Sequence, residues 1–206
     1  MTTHPLDKAY TPGGSTGGEG VLLATGASFL GWGTDIGGSI RIPSHMMGLY
    51  GLKPSVSQFN QHIMCQAYDS PQSSRLPYRG VPVTTDGQEH VPSSVGPMAR
   101  DLATLELSMR SIIGLEPWKS DARCAPIPWR EAIYQQTLEE PLTIGVLYDD
   151  EVVRPHPPLI RVLKQTVEAL QHAGHDIVEW NADLHAECIE VMVRSLKILQ
   201  FSLMIY

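Results

Sequence analysis

Two serines sit among an unusual number of glycines. Ser15 lies in Gly13-Gly14-Ser15-Thr16-Gly17-Gly18-Glu19-Gly20, and Ser39 lies in Gly33-Thr34-Asp35-Ile36-Gly37-Gly38-Ser39-Ile40-Arg41. Of the 18 glycines in the chain, 12 fall within the first 51 residues (13, 14, 17, 18, 20, 26, 31, 33, 37, 38, 48 and 51). Glycine permits positive φ and lets main chain approach a ligand closely, so this concentration points to a site built from backbone. Several chemistries use such loops. A phosphate-binding loop needs Lys and then Ser or Thr after its last glycine, but Gly18 is followed by Glu19. A dinucleotide fingerprint needs a third glycine where Ile36 stands after Gly31-Trp32-Gly33. Asp35 and Glu19 beside these loops would also repel phosphate. Gly13 to Gly17 matches the G-x-S-x-G hydrolase elbow. That elbow follows a buried strand, whereas the preceding Leu6-Asp-Lys-Ala-Tyr-Thr-Pro12 is polar and ends in proline.

Taken together, the two serines match more. The segments Pro12-Gly-Gly-Ser-Thr-Gly-Gly-Glu-Gly20, Gly33-Thr-Asp-Ile-Gly-Gly-Ser-Ile-Arg41 and Gly48-Leu-Tyr-Gly-Leu-Lys-Pro54 resemble the linked motifs of the amidase signature family. Leu76-Pro-Tyr-Arg-Gly-Val-Pro-Val83, Val91 to Arg100 and Val153-Arg-Pro-His-Pro-Pro158 resemble its fungal acetamidase-type branch. The resemblance covers roughly residues 4 to 194. It implies an α/β fold, a mixed β-sheet core flanked by helices on both faces, incomplete here.

The resemblance also implies a Ser-Ser-Lys hydrolase acting on a small carboxamide. Ser39 would be the nucleophile and would form the acyl-enzyme. Ser15, on a cis peptide bond, would relay the nucleophile's proton and help protonate the leaving amine. A neutral lysine would be the base, because a serine hydroxyl is a weak nucleophile until its proton is taken. The N–H groups of Ile36, Gly37, Gly38 and Ser39 would form the oxyanion hole. Asp35 and Arg41 would support that loop.

The family's lysine lies upstream of the first serine, and only 14 residues precede Ser15 here. Lys8 reads as a solvated surface residue and Lys53 as structural, so no catalytic lysine is present. A triad works as a unit, and without its base the chain should be inactive or very weak. Residues 56–73 resemble nothing in the family. Val-Ser-Gln at their start is what a fungal 5′ splice boundary yields when read through in frame, which suggests a retained intron; a true loop insertion is the alternative. Residues 195–206 read as a frame-shifted or read-through tail.

The expected organisation is one partial amidase domain: a catalytic-motif region over 1–55, the atypical insertion over 56–73, a helical and β-α-β remainder over 74–194, and the tail over 195–206. Glu19 to Ser28 reads as a short helix, and Ser28 to Gly33 and Leu49 to Pro54 as short strands. Val56 to Pro92 lacks a period and reads as loop. Met98, Leu102, Leu105, Met109, Ile112 and Ile113 are spaced for a helix over Pro97 to Ile113, with Pro97 in its first turn. Glu116 to Glu140 reads as a connection with one short helix. Leu142 to Tyr148 reads as a buried strand, Pro158 to Ala173 as an amphipathic helix ended by Gly174, and His175 to Trp180 as the next strand: a β-α-β unit. Ala182 to Leu199 is a candidate last helix.

A net charge of −7 argues against a nucleic-acid surface. No apolar stretch is long enough to span a bilayer. Cys65, Cys124 and Cys188 show no paired spacing, which with the polar start fits a reducing, cytoplasmic compartment. The eight histidines form no ligand set, and no metal, nucleotide or haem is implied. The resemblance implies a small amide as the partner, and no cofactor is expected. Two function classes follow: an amidase acting through Ser39, or a non-catalytic remnant of that family. An incomplete sheet would leave open edges and give poor autonomous stability.

Overall fold

The computed structural model describes residues 1–57, 73–82 and 92–203. It divides into two compact units, Met1–Trp129 and Arg130–Tyr206.

In the first unit, α1 (Gly17–Ala24) leads into β1 (Leu30–Asp35), and α2 (Arg41–Met47) into β2 (Tyr50–Gly51). The two-residue strands β3 (Val56–Ser57) and β4 (Ser73–Ser74) follow, then β5 (Ser94–Ala99) and α3 (Leu102–Gly114). The sheet order is β1-β5-β2, antiparallel, and β1 pairs with β5 from Leu30↔Ala99 to Asp35↔Ser94.

β5 corrects the expected helix start. Pro97 and Met98 belong to the central strand, and the helix begins at Leu102. Its N-cap is Asp101, whose carboxylate accepts from Thr104 N at 2.7 Å, leaving Pro97 no part in the first turn. Pro97 is tolerated mid-sheet because its carbonyl accepts from Leu52 N at 3.0 Å just past the end of β2, where no N–H is needed in return. The apolar period ran on through Met98 because that residue is fully buried, but against Leu23 and Ile40 in the core beneath the sheet.

A second cluster joins Leu76, Met109 and Ile113, with Ile112, Trp118 and Trp129 packed on it. Each such fully buried side chain contributes roughly 1.5–3 kcal/mol. Buried Asp121 ties the segment after β4 to this cluster. Its carboxylate accepts from the N–H groups of Tyr78 and Arg79, both at 2.8 Å, and of Arg123 at 3.0 Å. Burial opposes its ionisation, yet these donors and the Arg123 charge hold its pKa below the usual carboxylate range. Among its described residues the stretch read as loop contains an antiparallel pairing, Val56↔Ser74 and Ser57↔Ser73, at the two ends of the atypical insertion. Residues 58–72, Cys65 among them, and 83–91 lie outside the described residues.

The second unit holds α4 (Glu131–Glu139), β6 (Thr143–Val146), α5 (Pro157–His172), β7 (Asp176–Glu179) and α6 (His185–Leu203). β6 and β7 are parallel, Thr143↔Asp176 through Val146↔Glu179, with α5 as the crossover, so the β-α-β unit is present. Gly174 ends α5 at φ 91°, the left-handed position that favours glycine. The first strand was expected to be buried; in this unit only its last residue, Val146, is, because the two-stranded sheet covers little of either face. α6 starts later than expected and runs through Leu203, so the atypical tail is helical up to that residue, and 204–206 lie outside the described residues. Among the described residues no helix is long and apolar enough to cross a membrane.

Candidate active site

The two serine loops meet on one side of β1. The first runs from Pro12 into α1, and its Gly14–Ser15 peptide bond is cis. The second leaves the end of β1 at Asp35 and turns into α2. Thr16 N donates to the Ser39 carbonyl at 3.1 Å, so the residue after one serine is bonded to the main chain of the other.

Close packing explains the glycines of β1. A Cβ on Gly33 would stand 2.6 Å from Thr16 Oγ1, and one on Gly31 would collide with the Glu19 side chain. Successive strand side chains point to opposite faces, so Gly31 and Gly33 clear one face of β1. Thr16 and Glu19 of the first loop and α1 fill that space. Gly-Trp-Gly here serves the approach of a helix to a strand.

Asp35 organises the second loop. It is fully buried, and both carboxylate oxygens are used. Oδ1 accepts from Gly38 N at 2.7 Å and from the Arg41 guanidinium at 2.8 Å. Oδ2 accepts from Ile40 N at 3.0 Å, Arg41 N at 3.2 Å and Arg41 Nε at 3.0 Å. Burial pushes the carboxyl up. The Arg41 side chain and the three main-chain donors outweigh that push and hold the pKa well below the usual carboxylate range. Asp35 is therefore a permanent anion at neutral pH, and the chain from 35 to 41 is wrapped around it. Gly38 takes φ 118° to complete the turn.

This wrapping sorts the four amides expected to face an oxyanion. The Gly38 N–H points to Asp35. Among the described residues the N–H groups of Ile36, Gly37 and Ser39 carry no hydrogen bond. Gly37 is exposed, and Ile36 and Ser39 are half-buried. Ser15 is exposed, and among the described residues neither serine hydroxyl has a hydrogen-bond partner. Two accessible hydroxyls and three unpaired amides thus occupy adjoining loops, an arrangement that can present a nucleophile beside donors for a developing negative charge.

Neither lysine of this region donates a hydrogen bond to Ser15 or Ser39. Lys8 is exposed, and Lys53 is half-buried after β2. Burial, first, and the nearby Asp121 carboxylate push the Cys124 thiol up to about 11, which makes it an inert packing residue; Cys188 is exposed. Among the described residues no group of three or more His, Cys, Asp or Glu side chains could hold a metal ion.

Thr16 was not singled out from the sequence. Its signal was the pair Gly31 and Gly33, two apart and therefore on one face of a strand, which calls for something to approach that face.

A family model described as Amidase matches residues 1–202. The chain is 48% identical over 192 residues to a protein named Amidase 1 from Gibberella moniliformis, covering 93% of this chain and 34% of that protein. It is 38% identical over 188 residues to an acetamidase from Emericella nidulans, covering 89% and 31% respectively. Among solved structures, a fatty acid amide hydrolase superposes with a TM-score of 0.71 at 35% identity, covering 88% of this chain and 29% of that one. The chain spans about a third of the length of these relatives.

Proposed function

Because this chain belongs to the amidase family and has the mixed α/β fold of the amidase-signature enzymes, we propose that residues 13–41 are the acyl-transfer centre of a hydrolase for small carboxamides. Ser39 Oγ attacks the amide carbonyl carbon. Its proton passes to Ser15, which hands a proton to the departing nitrogen. The oxyanion of the tetrahedral intermediate is held by the free N–H groups of Ile36, Gly37 and Ser39, while the Gly38 N–H, bonded to Asp35, shapes the turn that aims them. The carbon–nitrogen bond then breaks, ammonia or an amine leaves, and the acyl group remains as an ester on Ser39. Water attacks that ester, the acid departs, and the proton returns to Ser39. Asp35 and Arg41 keep the loop in shape through the whole cycle.

The observation that carries this reading is the Thr16 N to Ser39 O bond. It puts the two serine loops side by side, as a relay between their hydroxyls requires. The part not supplied is the base. No lysine is bonded to either serine among the described residues, so these 206 residues on their own hydrolyse amides several orders of magnitude more slowly than a site with its base. We assign both compact units to the amidase family region in a reducing, cytoplasmic setting, with a small amide as the partner and no cofactor.

The second reading is a remnant without catalysis. It is favoured by the absence, among the described residues, of a lysine that donates a hydrogen bond to Ser15 or Ser39. Ammonia release from acetamide and benzamide decides between the two. Slow release by the chain, abolished in Ser39→Ala and lowered in Ser15→Ala, is the expected result. Release equal to that of buffer, or unchanged in Ser39→Ala, establishes the remnant.

A further inference from the structure

The geometry points to Ile42 as a positioning residue that spaces the two serine loops, an inference that rests on the assignment of Ser15 and Ser39 as the reacting pair. Ile42 is the second residue of α2. Its Cγ2 stands 3.0 Å from where a Cβ on Gly13 would lie, and its Cδ1 and Cγ1 stand 2.8 and 2.9 Å from where a Cβ on Gly38 would lie. One side chain therefore touches the backbone of both loops. Gly13 is two residues before Ser15, and Gly38 is the residue before Ser39. Met46, one helical turn further on, places Sδ 3.0 Å from the same Gly13 position and backs the contact.

Core packing does not account for this side chain. Ile42 is 46% exposed, whereas Ile40, two residues earlier, is fully buried with Leu23 and Met98. A β-branched side chain on a helix is nearly locked at χ1, so its two branches hold fixed directions. Here one branch meets each loop. The main chain adds rigidity, because Ile42 N donates to the Gly38 carbonyl at 2.7 Å. Ile42 and the Thr16–Ser39 hydrogen bond then brace the two loops in complementary ways. The bond sets how near the loops come at Ser39, and the side chain sets how they stand apart at Gly13 and Gly38. Errors of about 1 Å between reacting groups cost catalysis heavily, so such a spacer has a function that packing alone lacks.

The test uses the full chain with two readouts: exchange of the Thr16 amide proton by NMR, and the rate at which a fluorophosphonate labels Ser39, followed by mass spectrometry. Ile42→Ala removes both branches, and Ile42→Val removes only Cδ1. Ile40→Val, which trims the buried core instead, is the structural comparator. Ile42→Ala is expected to speed Thr16 exchange and to slow Ser39 labelling, each by about tenfold, with a loss of Tm no larger than that of Ile40→Val. Ile42→Val is expected to fall between Ile42→Ala and the unsubstituted chain in both. Thr16 exchange unchanged in Ile42→Ala overturns the inference. So does an Ile40→Val chain that reproduces both effects at equal loss of Tm. If Ser39 of the unsubstituted chain labels no faster than Ser39 of the denaturant-unfolded chain while Thr16 exchange still responds to Ile42→Ala, the spacing stands and the assignment of the reacting pair falls.

Discussion

The glycine-rich region around β1 and the β-α-β unit of residues 143–179 are built on opposite plans. Around β1 the contacts are irregular and specific. Asp35 gathers three main-chain amides and a guanidinium, and Thr16 fills the space over Gly33. The β-α-β unit follows periodicity, with two strands in parallel register, one amphipathic helix and a glycine at the helix end. Among the described residues nearly all buried apolar side chains belong to the first unit, and Val146 and Val167 are the exceptions. A backbone site needs a core and buried charge to hold its main chain in one shape. A crossover unit needs only a pattern, and of the strand residues of β6 and β7 Val146 alone is buried.

The sharpest way to test that contrast is to remove the buried anion. Asp35→Ala leaves the amides of Gly38, Ile40 and Arg41 without their acceptor and is expected to cost about 3–5 kcal/mol in denaturant unfolding of the first unit. Amides of β6 and β7, followed in the same sample by hydrogen exchange, should keep their protection. Equal loss in both regions would show that they unfold as one.

Acid probes the same group. The folded pKa of Asp35 lies below its unfolded value of about 3.9. Its stabilisation is therefore complete above that unfolded value and is lost as pH falls towards the folded one, because the unfolded chain binds the proton first. Asp121 acts in the same direction. Stability of the first unit should fall as pH drops through 4 and below, and Asp35→Asn should flatten the profile, read as denaturation midpoint against pH.

Packing over β1 comes next in size. Gly33→Val drives a side chain into Thr16 and should cost about 1–3 kcal/mol, measured by Tm, and should free the Thr16 amide to exchange. The smallest effect belongs to the patterned unit. A Cβ on Gly174 meets nothing, so Gly174→Ala pays only for its positive φ, about 1–2 kcal/mol, seen as faster exchange at the end of α5.

The same contrast governs what could be read from residue order. The β-α-β unit was legible to within a residue or two, because helix and strand periods and a terminal glycine are local signals. The serine loops were legible as motifs, because glycine and serine at those spacings are rare by chance. Pro97 is ambiguous in the sequence, since an apolar period and a proline fit a helix start as well as a strand that dives into a core. The Asp121 anchor joins residues 42 and 43 apart in sequence, and no local pattern announces it.

Residue order alone determined which chemistry residues 13–41 could carry, the family they resemble, and the periodic elements of the second unit. All of these depend on residue type and short spacing. Tertiary structure decided which amides of the second loop have no partner among the described residues, that Gly38 serves Asp35, that Thr16 covers Gly33, and that Ile42 touches both loops. Each of those is a meeting of groups whose distance is set by packing and hydrogen bonding across the fold, and a carboxylate chooses its donors only once the chain has closed around it.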